Sequence, residues 1–223
     1  MCGRYSFAPE LKIVNEHYDI TIKDGDLEPN YNCAPSQKLP VISNDAPGEL
    51  SRYSWGLIPF WAKDKSIGYK MINARGETLT EKPAFRNAFR SRRCLVLADA
   101  FYEWKKMAGS KVKIPYRIFI PGQPVFSMAG IWETWKNPDG EIIRSFSIVT
   151  ISPNELMAEI HDRMPVILSK EDGKIWLESK DPKSLKELIK PFPAKLMDAY
   201  RISTLVNSPR NNGSDIISPI EFN

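Results

Sequence analysis

Ile142-Ile143-Arg144-Ser145-Phe146-Ser147-Ile148-Val149-Thr150-Ile151, followed at once by Ser152-Pro153-Asn154-Glu155, is the stretch that decides the fold. Ten residues rich in β-branched and aromatic side chains make the longest strand-like run in the chain. The next four set a serine three positions before a glutamate, with proline between them. That pattern predicts a capping box opening a short helix that runs to about His161. Just upstream, Asn137-Pro138-Asp139-Gly140 predicts a hairpin, with Asp-Gly supplying positive backbone angles. Working outward, Cys94 to Ala98, Ile114 to Ile120 and Pro124 to Met128 also read as strands bounded by turn residues. Helices are few and peripheral. Residues 9–19 space Leu11, Val14 and Tyr18 helically, with Pro9 in the first turn. Residues 182–190 follow Asp181-Pro182, align Leu185, Leu188 and Ile189, and stop at Pro191. There is no repeat, and the most linker-like run, Asn44 to Glu49, is only a turn's length. The expectation is one α+β domain over residues 1–223, centred on mostly antiparallel sheet.

Composition narrows the function classes. With 223 residues, 42% hydrophobic and 26% charged, the chain is globular rather than disordered. No apolar run approaches the roughly 18–20 residues of a membrane helix, and Met1 to Glu10 lacks the apolar core of a secretory signal. Three cysteines (Cys2, Cys33, Cys94) and two histidines suit neither a disulfide framework nor a zinc site. A cytosolic chain with no metal and no cofactor is expected. The net charge of +4, from 31 basic and 27 acidic residues, does not by itself demand a nucleic-acid partner. Eighteen prolines, about 8% of the chain, favour short elements joined by defined turns.

Four positions carry chemistry-bearing groups. Initiator methionine is generally removed before a small residue, so the mature chain is expected to begin at Cys2. A terminal cysteine sets an α-amine of reference pKa near 8 beside a thiol near 8.5, both partly nucleophilic at neutral pH. The pair condenses with an aldehyde to an imine and then closes a thiazolidine ring; alternatively, Cys2 is incidental. Cys33 and Cys94 read as small packed residues. Asn73, within Met71 to Arg75, reads equally as a turn cap. If the strand from Leu95 continues, Leu95, Leu97, Phe101 and Glu103 share one face, so that a carboxylate lies on the core parity and needs a partner or a task. An irregularity at Ala98-Asp99-Ala100 would instead turn Glu103 outward. His161, one turn from Met157, ends the predicted helix, where the dipole favours imidazolium and proton donation. A lone histidine is more often a packed group, and His17 is read so. Arg4, Arg75 and Arg163 each lie within two residues of one of these groups. Trp55 to Trp61 adds aromatic surface for bases, with Trp55 read as core.

In order, Met1-Cys2-Gly3-Arg4-Tyr5, Tyr31-Asn32-Cys33-Ala34-Pro35, Trp55-Gly56-Leu57-Ile58-Pro59, Ile72 to Thr78, Phe101-Tyr102-Glu103-Trp104 and His161-Asp162-Arg163-Met164-Pro165 resemble the SOS-response-associated peptidase (SRAP) family of abasic-site sensors. Val206-Asn207-Ser208 and Asn211-Asn212-Gly213 resemble the family's closing loop. The resemblance runs nearly the whole length. It implies a twisted β-barrel-like sheet crossed by a cationic groove, and a monomer. It puts Cys2, Asn73, Glu103 and His161 in the catalytic site. Arg4, Arg75 and Arg163 become phosphate contacts, Gly3 and Thr150 backbone or hydroxyl contacts, and Phe60 and Trp61 a wedge that stacks on bases. The implied partner is single-stranded DNA carrying an abasic site. The implied product is a thiazolidine crosslink that shields the strand from cleavage, with lyase chemistry as the side reaction. The peptidase label implies self-removal of Met1, for which ordinary aminopeptidase trimming is an equal account. Two other functions fit the residues. One is a cysteine peptidase using Cys2, His161 and Glu103 on other proteins; the other is a nucleic-acid binding module with an incidental cysteine.

Overall fold

The computed structural model describes residues 2–20, 22, 27–107, 109, 112–137 and 139–220. Thirteen strands among them run in the order β1 (Arg4–Phe7), β2 (Asn30–Cys33), β3 (Lys38–Ser43), β4 (Ala46–Trp55), β5 (Asn73–Arg75), β6 (Arg93–Ala98), β7 (Ala100–Lys106), β8 (Lys113–Phe119), β9 (Phe126–Lys136), β10 (Ile142–Ile151), β11 (Met164–Pro165), β12 (Ile167–Leu168) and β13 (Asp198–Arg201). The α-helices are α1 (Leu11–Tyr18), α2 (Arg86–Ser91), α3 (Glu155–Ala158), α4 (Lys170–Glu178) and α5 (Pro182–Glu187).

Strand β10 is the organiser. Along one edge it pairs antiparallel with β9; along the other it pairs parallel with β4 and then β5, and finally antiparallel with β11. Because β4 continues through β3 and β6 to β9, the five strands β10-β4-β3-β6-β9 close on themselves as a barrel. A second sheet, β13-β8-β7-β1-β2, is antiparallel throughout. The fold is α+β, and the expectation of mostly antiparallel sheet holds, with β10–β4 and β10–β5 as the parallel pairings.

The barrel core is aromatic. Trp55 stacks on Phe146 at 6.3 Å and meets Tyr5 of the second sheet at 5.2 Å, so one indole joins the two layers. At Gly130 a side chain has no room, because its Cβ would stand 2.7 Å from the Cys94 sulfur and 2.8 Å from Val96. The two helices that cover the barrel are fastened by one buried cation. Arg93 donates to the carbonyls of Phe89, Arg90, Trp176, Leu177 and Ser179, the C-terminal ends of α2 and α4, where helix dipoles favour positive charge.

Several local expectations need correcting. Helix α1 begins at Leu11 with Glu10 as its cap position, so Pro9 precedes the first turn rather than occupying it. Helix α5 ends at Glu187, short of Pro191. Strand β9 runs to Lys136, eight residues past the run read from sequence, because residues 126–133 are buried on both faces and show no alternation. The hairpin forms with Gly140 at φ +88°; Pro138 lies outside the described residues. Helix α3 is capped by Asn154, not Ser152. The Asn154 carboxamide oxygen accepts from the Met157 amide at 2.9 Å while its nitrogen donates to the Phe192 carbonyl at 2.7 Å. A side chain that satisfies a helix end and a neighbouring loop together outcompetes a serine two residues earlier. Replacing Asn154 by alanine is expected to cost about 1 kcal/mol for the cap, lowering the thermal midpoint by roughly 2–4 °C in a scan of both proteins.

Candidate active site

The lead-in to β1, strands β7 and β5 from the two sheets, and one turn deliver the four chemistry-bearing residues. Strands β1 and β7 pair with Arg4 opposite Tyr102, so one step further along the ladder Gly3 faces Glu103. The interruption at Asp99 is real. Its carboxylate accepts from Ser6, Ala8 and Arg117 and its amide donates to the Ser6 carbonyl of β1 at 3.0 Å, which draws the chain out of the barrel and into the second sheet. The interruption does not turn Glu103 outward: Glu103 is 2% exposed. Asn73 opens β5, where it pairs with Ile148 of β10. After α3 the chain turns back along β10, Ile151 pairing with Met164, and that return carries His161 to the same end of the strand.

The contacts bring the four together. The Asn73 carboxamide nitrogen donates to the Cys2 carbonyl at 2.8 Å, and its oxygen is buried with no hydrogen-bond partner among the described residues. The His161 Nε2 lies 3.7 Å from a Glu103 carboxylate oxygen. The other ring nitrogen, Nδ1, accepts from the Arg163 amide at 3.1 Å, which fixes the neutral ring with its proton on Nε2, toward Glu103. The Asp162 carboxylate, 2.9 Å from Nδ1, is the partner a protonated ring would take instead.

Burial sets the protonation states. Glu103 is pushed up from 4.5 to about 7, chiefly by desolvation and further by the Asp162 charge. Burial pushes His161 below its ordinary value, against the opposite pull of Asp162. His161 is thus shifted toward the neutral ring rather than the imidazolium expected at a helix end; α3 is a single turn that stops at Ala158, three residues before it. The Cys2 side chain is fully buried, 3.9 Å from the Arg4 carbonyl, and desolvation followed by the Glu103 charge pushes its thiol well up. The expectation of a partly ionised thiol does not hold in this closed arrangement.

The flanking residues divide into engaged and open. Arg4 donates to the Asn32 side chain at 3.1 Å and to the Asn207 carbonyl at 3.2 Å. Asn32 is itself buried and donates to the carbonyls of Val206, Ser208 and Asn211, so it ties the closing loop to the strand beside Arg4. Arg163 is held in a two-point pair with Glu77, at 2.6 and 2.9 Å, and donates to the Thr150 carbonyl at 2.7 Å. Thr150 is buried and Gly3 half-buried. Arg75 is exposed. Phe60 and Trp61 are 57% and 50% exposed, while Trp55 is core. Their loop leaves the sheet at Gly56, where φ is +125° and a Cβ would stand 2.7 Å from the Gly68 carbonyl oxygen, so a side chain is excluded. It rejoins where the Leu57 amide meets the Met71 carbonyl, two residues before Asn73. Asn32, Glu77 and Asn207 fall inside motifs that the sequence already marks. Their roles as holders of arginines show only in the contacts.

A family model for the SOS response associated peptidase (SRAP) matches residues 1–209. The chain belongs to the SRAP family. It is similar to the "Abasic site processing protein YoqW" of Bacillus subtilis, 48% identical over 97% of this chain and 99% of that protein. It is also similar to the "Abasic site processing protein HMCES" of Xenopus tropicalis, 32% identical over 89% of this chain and 69% of that protein. Among solved structures, a protein from Bacteroides thetaiotaomicron superposes with a TM-score of 0.89 at 32% identity, covering 99% of this chain and all of the other. Among the described residues no helix is long and apolar enough to cross a membrane.

Proposed function

We propose that this SRAP chain senses abasic sites in single-stranded DNA and captures them covalently through Cys2 once Met1 is gone. One observation carries the reading. Asn73 holds the Cys2 backbone beside a buried carboxylate whose pKa, about 7, lets it both take and give protons at neutral pH. Relatives named for abasic site processing support the choice of substrate.

The ring-opened abasic sugar presents an aldehyde. The Cys2 amine adds to C1′ while Glu103 takes a proton from the nitrogen and passes it to the new oxygen, giving the carbinolamine; a second proton, drawn from solvent through Glu103 and regained from the thiol in the next step, lets that hydroxyl leave as water. The open oxygen of Asn73 accepts from the terminal nitrogen and orients its lone pair. The Cys2 sulfur adds to the iminium carbon, its proton passing to the Glu103 carboxylate. Aldehyde, amine and thiol thus become a thiazolidine and one water. The neutral His161, with Nε2–H toward the site, donates to the sugar oxygen during ring opening. Arg4 and Arg75 hold flanking phosphates without reading sequence. For Arg163 to do so, a phosphate must displace Glu77. An imine left uncapped by sulfur permits β-elimination, the origin of a lyase side reaction. Met1 leaves by self-cleavage through the thiol or by ordinary trimming, and the chemistry needs only that it leaves. A peptidase acting on other proteins needs a thiolate–imidazolium pair, and here burial drives both groups toward their neutral forms.

The test is direct. Purified protein mixed with single-stranded DNA carrying one abasic site is expected to give an adduct that survives denaturation, and undamaged DNA none. The intact mass of the competent protein is expected to lack Met1. Active material that retains Met1 would refute the reading.

A further inference from the structure

We infer a second anion-binding surface on α2, in which Arg86 and Arg90 grip the phosphates of a strand that has passed the Phe60 wedge; this rests on the DNA reading above. Helix α2 turns Ala88 and Phe89 into the core and leaves Arg86, Asn87, Arg90 and Ser91 exposed. Arg86 and Arg90 are four residues apart, so their charges share one face and repel. Neither makes an ion pair among the described residues. The nearby acid is already committed, since Glu133 is buried, bound to Arg92 at 2.8 Å and accepting from the Thr134 amide. Two unneutralised arginines on one face weaken an isolated helix and favour a polyanion on it.

The wedge joins this face to the site. Phe60, Asn87, Arg90, Ser91, Arg92 and Glu133 line one open cleft of about 410 Å³. The loop bearing Phe60 is tied at its base by the Leu57 amide to the Met71 carbonyl, two residues before Asn73, while Phe60 itself lines the cleft, so one loop links the site's neighbourhood to this face. The aromatic ring of Phe60, the Asn87 amide and the Arg90 guanidinium within one cleft suit a nucleotide unit, with base on ring and phosphate on guanidinium. Arg86, one turn back along the same helix face, stands outside the cleft where the next phosphate would run. The surface is also firmly built. The Asn44 side chain donates to the Ser91 carbonyl, Ser91 to the Asn87 carbonyl, and Arg93 to the Arg90 carbonyl.

The experiment compares the wild type with Arg86→Gln/Arg90→Gln and Arg86→Lys/Arg90→Lys on undamaged single strands of about 5 and about 20 nucleotides, bracketing common groove site sizes. On the longer strand the glutamine pair is expected to bind at least about tenfold more weakly at low salt. The slope of log affinity against log salt should fall by about 1.4, for two phosphates at about 0.7 each, and the lysine pair should restore it. On the shorter strand, and in final adduct yield at saturating abasic DNA, all three proteins are expected to agree. Equal affinities and slopes on the longer strand overturn the surface and leave the abasic reading standing. A wild type that binds neither strand and forms no adduct overturns both.

Discussion

Cys2→Ala is expected to leave no denaturation-resistant adduct with abasic single-stranded DNA, a loss of at least about 100-fold in stable product. The variant keeps a terminal amine, still held through its carbonyl by Asn73, because that contact is to the backbone. It loses only the sulfur that closes the ring. Imine formation therefore continues, and β-elimination replaces capture, so strand cleavage should rise as the crosslink vanishes. Noncovalent affinity for undamaged DNA should stay within about twofold, since the thiol is buried and touches no surface. A denaturing gel of labelled oligonucleotide reads both products in one lane. A stable adduct formed by Cys2→Ala at the wild-type rate would transfer the nucleophile elsewhere, and unchanged cleavage would remove the imine from the pathway. Among the described residues Cys33 and Cys94 are the other thiols, and both are fully buried in the core.

How far the sequence foretold this site follows from what each residue answers to. Strand β10 is legible to both ends because seven of its ten residues are β-branched or aromatic and its boundaries are a hairpin and the Ser152-Pro153 turn. Strand β9 is legible only as far as Met128, since residues buried on both faces of a closed barrel carry no alternation to read. Glu103 shows the limit most clearly. Neither alternative holds whole: Asp99 breaks the run, yet the carboxylate is buried because the second strand pairs with β1 and covers it with the chain's own start. Parity within one strand carries no information about a ladder made with residues a hundred positions away. The same is true of Glu77, which sequence places in a motif but only the fold sets against Arg163, and of Asn32, which holds the closing loop. Capping at α3 moved from Ser152 to Asn154 for a local reason with a distant part, the Phe192 carbonyl, that spacing does not reveal.

Glu103→Gln is expected to slow crosslink formation by about 100-fold or more, the usual scale for a positioned acid–base group, while leaving strand binding near the wild-type value. The pH dependence separates this role from simple packing. With Glu103 titrating at about 7, the wild-type rate should rise as pH climbs through 7, because only the carboxylate accepts the amine's proton. The glutamine variant keeps the shape of the side chain but has nothing to titrate. Its residual rate should lack the inflection at 7 and show only the later rise of the terminal amine near 8. Stability carries the complementary sign. Between the ordinary value of 4.5 and about 7, the folded chain holds a proton on Glu103 that the unfolded chain has released. Folding stability is therefore lost as pH rises through that window, and Glu103→Gln should flatten this part of the profile. Denaturant melts at pH 4.5, 6 and 7.5 measure it alongside single-turnover rates. A wild-type rate that is flat from pH 6 to 8, or a glutamine variant that retains the inflection at 7, would take the proton-transfer role away from Glu103 and leave His161 as the group to test next.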